Sequence, residues 1–458
     1  MKQSNLLFVF SDQHRWCDMG IYGNSQVQTP NFDRFARQGV VFDHCISPSP
    51  LCVPARGSLL TGLYPLRHGA LTNDLPIRQD IPSIAHVLRD NRYKTGYIGK
   101  WHLAGVPRDQ FIPQGQGRLG FESWKVCNCS HNYQQAYYYD ENNQRIEIEG
   151  YEPMAQTDLA IDFIKENQAQ NWGLFLSWGP PHNPYHELPE RYVDRYRDLD
   201  PALRQNVPEV IRATQTTQLN RQDIKHNLRG YYAHITALDE QFGRLLQTLE
   251  QTGQLEDTLI IYTSDHGDML GSQGFTNKQL PYEESIRVPL LAYKSGLTNS
   301  MRCQQQISLV DLPVSLLDLL GLSFSSQVDG LNLSRLFTER DAAGREACYI
   351  VELVPCHQAM QRGGSEWRAI RTDRYTLART AKDEGFVLYD HVNDPEQLEN
   401  LVDDPACQFL KKQLLERLDQ EIRRHDQLLP WPDLIRHYGY TEAWNKSQAY
   451  FGLPLLEA

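Results

Sequence analysis

Four short apolar runs recur along the first part of the chain, and each ends in a group of polar residues. The runs are Leu6–Phe10, Tyr97–Ile98, Leu174–Leu176 and Leu259–Tyr262. Short runs rich in aromatic and β-branched residues are typical of strands that are buried on both faces of a sheet. We therefore predict four buried strands at these positions.

Stretches with the apolar spacing of helices lie between these runs. They cover residues 31–38, 84–91, 157–168 and 231–251. Strands that alternate with helices indicate an α/β fold in which helices cover both faces of one sheet.

The polar groups that follow the four runs contain residues capable of catalysis. They are Ser11–Arg15, Gly99–His102, Pro180–Pro184 and Ser264–Asp268. Sites in such sheets gather at the carboxyl ends of the strands. We therefore expect side chains from all four groups to meet in one active site.

Two long polar segments interrupt this pattern. Residues 111–150 are rich in Gly, Gln, Asn and Tyr and include His131 and Tyr133, and residues 183–228 are punctuated by prolines. We predict loops here that lie over the site and set its specificity. Their tyrosines either stack on a ligand or pack within the loops.

The pattern changes near residue 345. Residues 347–351, 367–371, 375–378 and 386–390 resemble strands of a small antiparallel sheet. Helical spacing follows over 408–424, with these apolar residues on one face: Phe409, Leu410, Leu414, Leu415 and Leu418. We predict a catalytic domain over 1–344, a C-terminal α+β subdomain over 345–425, and a tail over 426–458 whose structure the pattern does not indicate.

Composition limits the possible partners. The chain has 458 residues, 40 % of them apolar, and a formal charge of −12. An acidic chain is a poor match for nucleic acid or an anionic membrane surface, so we expect neither as a partner. An anionic substrate would require positive charge concentrated in its pocket.

The cysteines and the apolar runs indicate where in the cell the protein is expected. Nine cysteines have no repeated spacing, and Cys127 and Cys129 lack the second pair that a zinc site needs. No run is long enough to cross a membrane, and the first is too short for a signal-peptide core. We expect a cytoplasmic protein as the chain is given, or a periplasmic or secreted one if a signal was removed.

Residues 49–69, SPLCVPARGSLLTGLYPLRHG, hold a cysteine two residues before a proline and four before an arginine. Pro54 suits the first turn of a helix, so Cys52 is predicted at a helix N-terminus beside Arg56. Both features stabilise a thiolate or another anion. The alternative is a buried cysteine in front of an ordinary helix.

This stretch resembles the signature of the type I sulfatases, members of the alkaline-phosphatase-like superfamily, in which the cysteine is oxidised to formylglycine (3-oxoalanine). The resemblance extends to GKWH at 99–102, PPHNP at 180–184 and LYDHVNDPEQLENL at 388–401. It covers roughly residues 4–402. It implies a large mixed sheet sandwiched by helices with a smaller C-terminal subdomain, and hydrolysis of sulfate esters, with a sulfated carbohydrate as the expected substrate.

Asp12, Asp265 and His266 follow the first and fourth runs. Carboxylates suit Ca²⁺ or Mg²⁺, and a histidine would also admit Mn²⁺; each aspartate alone could equally cap a helix or occupy a turn. The resemblance makes all three metal ligands, together with the residue formed from Cys52, and favours Ca²⁺. Gln13 stands where the family usually has a second aspartate. It can offer a carbonyl oxygen, but the site loses a negative charge.

The resemblance also assigns roles to basic residues near the first two runs. Lys100 and His102 lie on one face of an extended segment, where Lys100 neutralises sulfate oxygens and His102 acts as a base. Arg56 holds the hydrated aldehyde in place. Arg15 is assigned to substrate binding.

His182 and Lys278 resemble the residues that serve the leaving group in this family. Lys278 lies in the run TNKQLPYEESIRVP. Either side chain could give the departing alcohol its proton, and both are expected to contact the substrate.

Three functions stay open at this point. The first is a sulfatase whose partners are a sulfated saccharide and a formylglycine-generating enzyme. The second is a phosphonate monoester or phosphodiester hydrolase, because Gln13 and His266 resemble the branch that holds those enzymes and many bacterial carbohydrate sulfatases. The third is a glycan-binding protein whose cysteine is never modified, against which the intact Asp12, Lys100 and His102 speak.

Overall fold

The computed structural model describes residues 4–297 and 300–457. Within these ranges the strands are β1 (Asn5–Asp12), β2 (Val40–Ile46), β3 (Lys94–Lys100), β4 (Ser123–Cys127), β5 (Tyr137–Tyr139), β6 (Arg145–Glu147), β7 (Trp172–Pro181), β8 (Val210–Arg212), β9 (Gln218–Asn220), β10 (Thr258–Ser264), β11 (Arg287–Tyr293), β12 (Met301–Ser308), β13 (Ala347–Glu352), β14 (Trp367–Thr372), β15 (Tyr375–Arg379) and β16 (Val387–Asp390).

The helices occupy the segments between the strands and the C-terminal end. They are α1 (Pro30–Gln38), α2 (Cys52–Thr61), α3 (Pro65–His68), α4 (Ile84–Asp90), α5 (Glu152–Glu166), α6 (Glu190–Val193), α7 (Arg221–Gln251), α8 (Glu283–Ile286), α9 (Leu312–Leu319), α10 (His357–Met360), α11 (Gln408–His425), α12 (Trp431–His437) and α13 (Thr441–Tyr450). In the described ranges, none of them is both long and apolar enough to cross a bilayer.

A ten-stranded mixed sheet forms the centre of the protein, in the order β12-β2-β11-β10-β1-β7-β3-β4-β5-β6. The four predicted strands are β1, β3, β7 and β10, and they lie side by side and parallel. Ser11 of β1 pairs with Ser264 of β10, so the polar groups that follow these two strands begin at the same level of the sheet. The predicted α/β fold class is confirmed.

Strand β1 shows why the sheet needs helices on both faces. Leu6, Phe8 and Phe10 point into a core formed with α2, α4 and α9, whereas Leu7 and Val9 point into a core formed with α1, α5 and α7. Alternate residues of a strand face opposite sides, so an uninterrupted apolar run requires a layer on each side.

The two predicted long loops contain more regular structure than the sequence indicates. Strands β4, β5 and β6 lie within residues 111–150 and extend the main sheet, while α6 and the β8–β9 hairpin lie within 183–228. Helix α7 begins at Arg221, ten residues before the predicted start at 231. Its first turns are polar, and Asn220 and Asp223 start it through a capping box.

The C-terminal residues form a second, smaller sheet, β13-β14-β15-β16, which is antiparallel as predicted. Helix α11 packs on it through Leu414, Leu418 and Ile422. Phe409 was expected on the apolar face but is 73 % exposed, because it lies at the start of α11, outside this buried stripe. The tail forms α12 and α13, which join the same core through Leu434, Ile435 and Trp444. The division at residues 344 and 425 stays a prediction.

Candidate active site

Cys52 begins helix α2, as the position of Pro54 predicts. The side chain is 1 % exposed, and its Sγ lies 3.3 Å from His266 Nε2 and 3.6 Å from Asp12 Oδ1. Burial and Asp12 oppose ionisation of the thiol, but Lys278, Lys100 and His266 together lower its pKa well below the usual value. The surroundings of Cys52 therefore favour an anionic group at this position.

Arg56 joins the elements that carry the acidic side chains. Its guanidinium donates to Asp12 Oδ2 at 3.1 Å and to Asp265 Oδ2 at 3.0 Å, and all three side chains are fully buried. It also donates to the Lys100 carbonyl at 2.9 Å and to Ser177 Oγ at 2.7 Å. Arg56 thus fixes the ends of β1, β3, β7 and β10 relative to one another.

Four side chains offer ligand atoms that all lie within 4.8 Å of one another: Asp12, Cys52, Asp265 and His266. His266 Nδ1 donates to the Gly267 carbonyl at 2.9 Å, so in the neutral ring Nε2 carries the free lone pair that faces the group. Two carboxylates and one imidazole fit a hard divalent cation. Four of the five residues predicted as metal ligands are therefore brought together, and the fifth is Gln13.

The two carboxylates differ in their electrostatics. Burial disfavours the charged form of both, but Lys100, His182 and Arg56 hold the pKa of Asp12 well below its usual range. Burial and the neighbouring Asp12 raise the pKa of Asp265. A bound cation would offset the repulsion between them.

Gln13 lies beside these ligands. Its Oε1 accepts a hydrogen bond from Lys278 Nζ at 2.5 Å, and its Nε2 donates to Asp268 Oδ2 at 2.6 Å. The same Asp268 oxygen accepts from the Tyr185 hydroxyl at 2.6 Å. The amide therefore connects Lys278 to Asp268, a residue that the sequence placed in the fourth polar group without giving it a role.

Lys100, His131 and His182 form another wall of the site. Lys100 Nζ lies 2.6 Å from Asp12 Oδ2 and 3.2 Å from His131 Nε2. The His131 ring stacks on the His182 ring at 4.2 Å between centroids. Burial and the nearby Lys278 lower the pKa of His182 well below its usual value.

His102 is held differently from the other basic residues. Its backbone N–H donates to the Asn128 carbonyl at 2.5 Å, and its Nε2 lies 3.7 Å from Asp74 Oδ1. Asp74 in turn accepts two hydrogen bonds of 2.8 Å from Arg108. Neither ring nitrogen of His102 has a hydrogen-bond partner among the described residues. Burial opposes its charged form, yet Cys129, Asp74 and Cys52 raise its pKa to about 10.

Several residues of the site lay outside the sequence-based assignments. Asp74 and Arg108 are isolated in loops, and no local motif marks them. His131 was noted only as part of a long loop. Tyr133, from the same loop, is fully buried and donates to the His182 carbonyl at 2.9 Å, so it packs within the protein.

Arg15 is the one predicted substrate contact that lies apart from the cluster. Its guanidinium is paired with Asp18, three residues further along the chain. It lines a different cavity, with Asn24, Arg204 and Tyr232. Arg15 is therefore paired within the protein, and its role in substrate binding stays a prediction.

Fold and site together combine a buried cysteine, a group of side chains that could hold a metal ion, and buried basic side chains at one edge of the main sheet. A family model described as Sulfatase matches residues 4–322, and one described as N-sulphoglucosamine sulphohydrolase, C-terminal, matches 271–424. An ulvan-active sulfatase of Formosa agariphila is 33 % identical over 451 residues, which cover 96 % of this chain and 86 % of that protein.

Two further likenesses are weaker in sequence. An N-acetylglucosamine-6-O-sulfatase of Bacteroides thetaiotaomicron is 27 % identical, over 93 % of this chain and 87 % of that protein. The crystal structure of yidJ from Bacteroides fragilis is 27 % identical with a TM-score of 0.83, covering 93 % of this chain and 97 % of that one.

The chain belongs to the sulfatase family and is a sulfuric ester hydrolase. The predicted family and enzyme class are confirmed. A phosphonate monoester hydrolase of Agrobacterium radiobacter is also similar, with a TM-score of 0.75 over 93 % of this chain and 97 % of that one. At 22 % identity that likeness extends to the fold alone.

Proposed function

We propose that this sulfatase hydrolyses a sulfate ester of a carbohydrate, with formylglycine formed from Cys52 and a divalent cation, Ca²⁺ first among the candidates. The observation that carries the proposal is the position of Cys52. It starts α2 within 3.6 Å of Asp12 and His266, inside a group of buried basic side chains. The name of the N-acetylglucosamine-6-O-sulfatase relative supports a sugar as the alcohol.

The cation would be held by Asp12, Asp265 and His266, with an oxygen of the modified residue 52 in place of the Cys52 sulfur. Bound there, it would lower the pKa of a hydroxyl of the hydrated aldehyde and so supply a nucleophile at neutral pH. Gln13 Oε1 adjoins this position and is engaged by Lys278. Arg56 keeps the two carboxylates in place.

The substrate's sulfate group would compete for Lys100 and Lys278 with their present partners, Asp12 and Gln13. Lys100 and Lys278 supply positive charge to the sulfate oxygens, where preorganised charge is typically the largest contribution to catalysis. His182 or Lys278 gives a proton to the departing sugar oxygen. An anionic sulfate beside His182 would favour the protonated form of its imidazole, whose pKa is lowered in the free protein by burial and Lys278.

His102 would act after the alcohol has left. His102 lies near residue 52, and Asp74, whose Oδ1 is 3.7 Å from His102 Nε2, can stabilise the imidazolium. The thiol of Cys52, which contributes to the raised pKa of His102, is absent once residue 52 is modified. By taking a proton from the second hydroxyl of residue 52, His102 allows the S-linked oxygen to leave with sulfate and the aldehyde to return. A diol is needed for this step, since a serine or cysteine ester could be released only by water attacking sulfur.

Sulfate release from defined saccharide sulfates tests the proposal. Protein co-produced with a formylglycine-generating enzyme is expected to release sulfate from at least one saccharide, and Cys52→Ala to release none. Cys303→Ala is the matched control, because Cys303 is buried in the core near β2 and away from the site. Activity that survives in Cys52→Ala would contradict the proposal.

Phosphonate monoester hydrolysis is a second candidate function, because Gln13 and His266 resemble a branch that holds those hydrolases as well as many carbohydrate sulfatases. Phenyl sulfate and a phenyl phosphonate share a leaving group, so their kcat/KM values compare the two reactions directly. We expect the sulfate ester to be preferred. Preference for the phosphonate would reverse the assignment of the substrate class.

A further inference from the structure

A cavity of about 520 Å³ begins at Asn183, the residue that follows His182. Its wall begins with Asn183 and Pro184, directly after His182, and continues along the α6 region and the first half of α7. A cavity of this volume falls within the range typical of small-molecule sites. Its polar lining includes Tyr185, His186, Arg197, His226, Asn227 and Arg229.

The lining is basic although the whole chain is acidic. It contains two arginines and two histidines but no aspartate or glutamate, against a formal charge of −12 for the protein. Arg197 is paired with Asp194 and Glu190 at the surface. Arg229 donates from Nε to the Leu199 carbonyl at 2.7 Å, and its terminal nitrogens have no carboxylate partner in the part of the chain that the structure describes. Arg229 is therefore available to an external anion.

Two contacts connect this cavity to the reacting groups. His182 Nδ1 donates to the Asn183 carbonyl at 2.7 Å, while Asn183 Oδ1 is buried and lacks a hydrogen-bond partner among the described residues. Tyr185 donates to Asp268, which also accepts from Gln13. Asn183 and Tyr185 thus contact both the reacting groups and the cavity, and a ligand that reaches past Asn183 from His182 would enter the cavity.

We propose that this cavity is a subsite for an anionic sugar unit, the neighbour of the sugar that carries the cleaved sulfate. The substrate is then an oligosaccharide with at least two anionic groups, and Arg229 binds the second one, which is either a sulfate or a carboxylate. Guanidinium groups bind both oxyanions through paired hydrogen bonds. This inference rests on the proposed carbohydrate sulfatase function.

Inhibition of nitrophenyl sulfate turnover by defined disaccharides tests the subsite. All disaccharides carry one sulfate on the first sugar, and the neighbouring sugar carries a carboxylate, a second sulfate or no charge. We expect the best dianionic disaccharide to inhibit about tenfold more strongly than the neutral-neighbour one, as a charge-assisted hydrogen bond would give. The anion that inhibits best identifies the source of the second charge.

Variants assign the effect to the cavity. Arg229→Gln is expected to remove the tenfold preference, and Arg229→Lys to restore part of it, with turnover of nitrophenyl sulfate unchanged in both. His226→Gln changes an exposed lining residue without affecting packing and should reduce the preference less. Arg195→Gln is the matched control, since Arg195 pairs with Glu240 outside the cavity.

The results that would contradict the subsite differ from the result that would contradict the proposed function. Equal inhibition by all three classes of disaccharide, or a preference that persists in both Arg229→Gln and His226→Gln, would overturn the subsite. A matured enzyme that turns over no sulfate ester would instead overturn the proposed function itself.

Discussion

The proton for the leaving group provides a prediction that separates the roles of the basic residues. A sugar alkoxide is a much poorer leaving group than nitrophenolate, so only the saccharide ester depends strongly on a proton delivered to the bridging oxygen. His182 lies against His131 and has a lowered pKa, and Lys278 Nζ lies 2.5 Å from Gln13 Oε1 beside the cation ligands. We therefore change each residue singly, as His182→Ala and Lys278→Ala.

The expected loss follows from the contribution of general acids. Such catalysis is typically worth about 10²–10⁴-fold, or about 3–5 kcal/mol of barrier. The alanine variant of the residue that gives the proton should lose about this factor in kcat/KM on a saccharide sulfate. On nitrophenyl sulfate the same variant should lose at most about tenfold. The alanine variant of a residue that supplies only charge should lose similar factors in kcat/KM on both esters.

The assay is steady-state kinetics on both esters, with His102→Ala as the comparison. Because His102 acts after the alcohol has left, its variant should slow turnover of both esters equally and release a burst of nitrophenol before the slow phase. Equal losses on both esters in both His182→Ala and Lys278→Ala would refute the acid assignment and leave these residues as substrate-binding groups.

Three further perturbations test other parts of the site and fold. Asp12→Ala or Asp265→Ala should remove bound metal and activity together. Gln13→Ala should reduce both less, because an amide is the weaker ligand. Undiminished metal in Asp12→Ala, measured by elemental analysis, would contradict the ligand assignment. Asp74→Asn should lower kcat about tenfold or more with little change in KM, because it supports the His102 imidazolium, and an unchanged kcat would exclude that role. Trp444→Ala should cost about 3–5 kcal/mol of stability in chemical denaturation, whereas a change below about 1 kcal/mol would show that the tail contributes little.

The central sheet could be predicted because its buried strands are visible in the sequence as short apolar runs. The runs in β1, β7 and β10 are buried on both faces, and this burial requires the uninterrupted apolar sequences from which they were recognised. Cys52 was recognisable because proline and arginine at fixed offsets from a cysteine have a local structural meaning.

The residues that sequence reasoning missed act through contacts between distant segments. Asp74 meets His102 only after the chain has folded, and His131 reaches Lys100 from a loop with no regular pattern. The side chain of Arg15 pairs with Asp18, so its assignment to substrate binding stays a prediction. The tail escaped prediction since its two short helices bury only a few side chains against the second core.

The fraction of residue 52 present as formylglycine, measured by peptide mass spectrometry alongside kcat, tests the central claim most directly. Preparations made with different amounts of the maturing enzyme would provide a series of fractions. We predict that kcat for a sulfate ester rises in proportion to the formylglycine fraction and extrapolates to zero when the fraction is zero. Full activity in a preparation whose Cys52 is entirely unmodified would contradict the account.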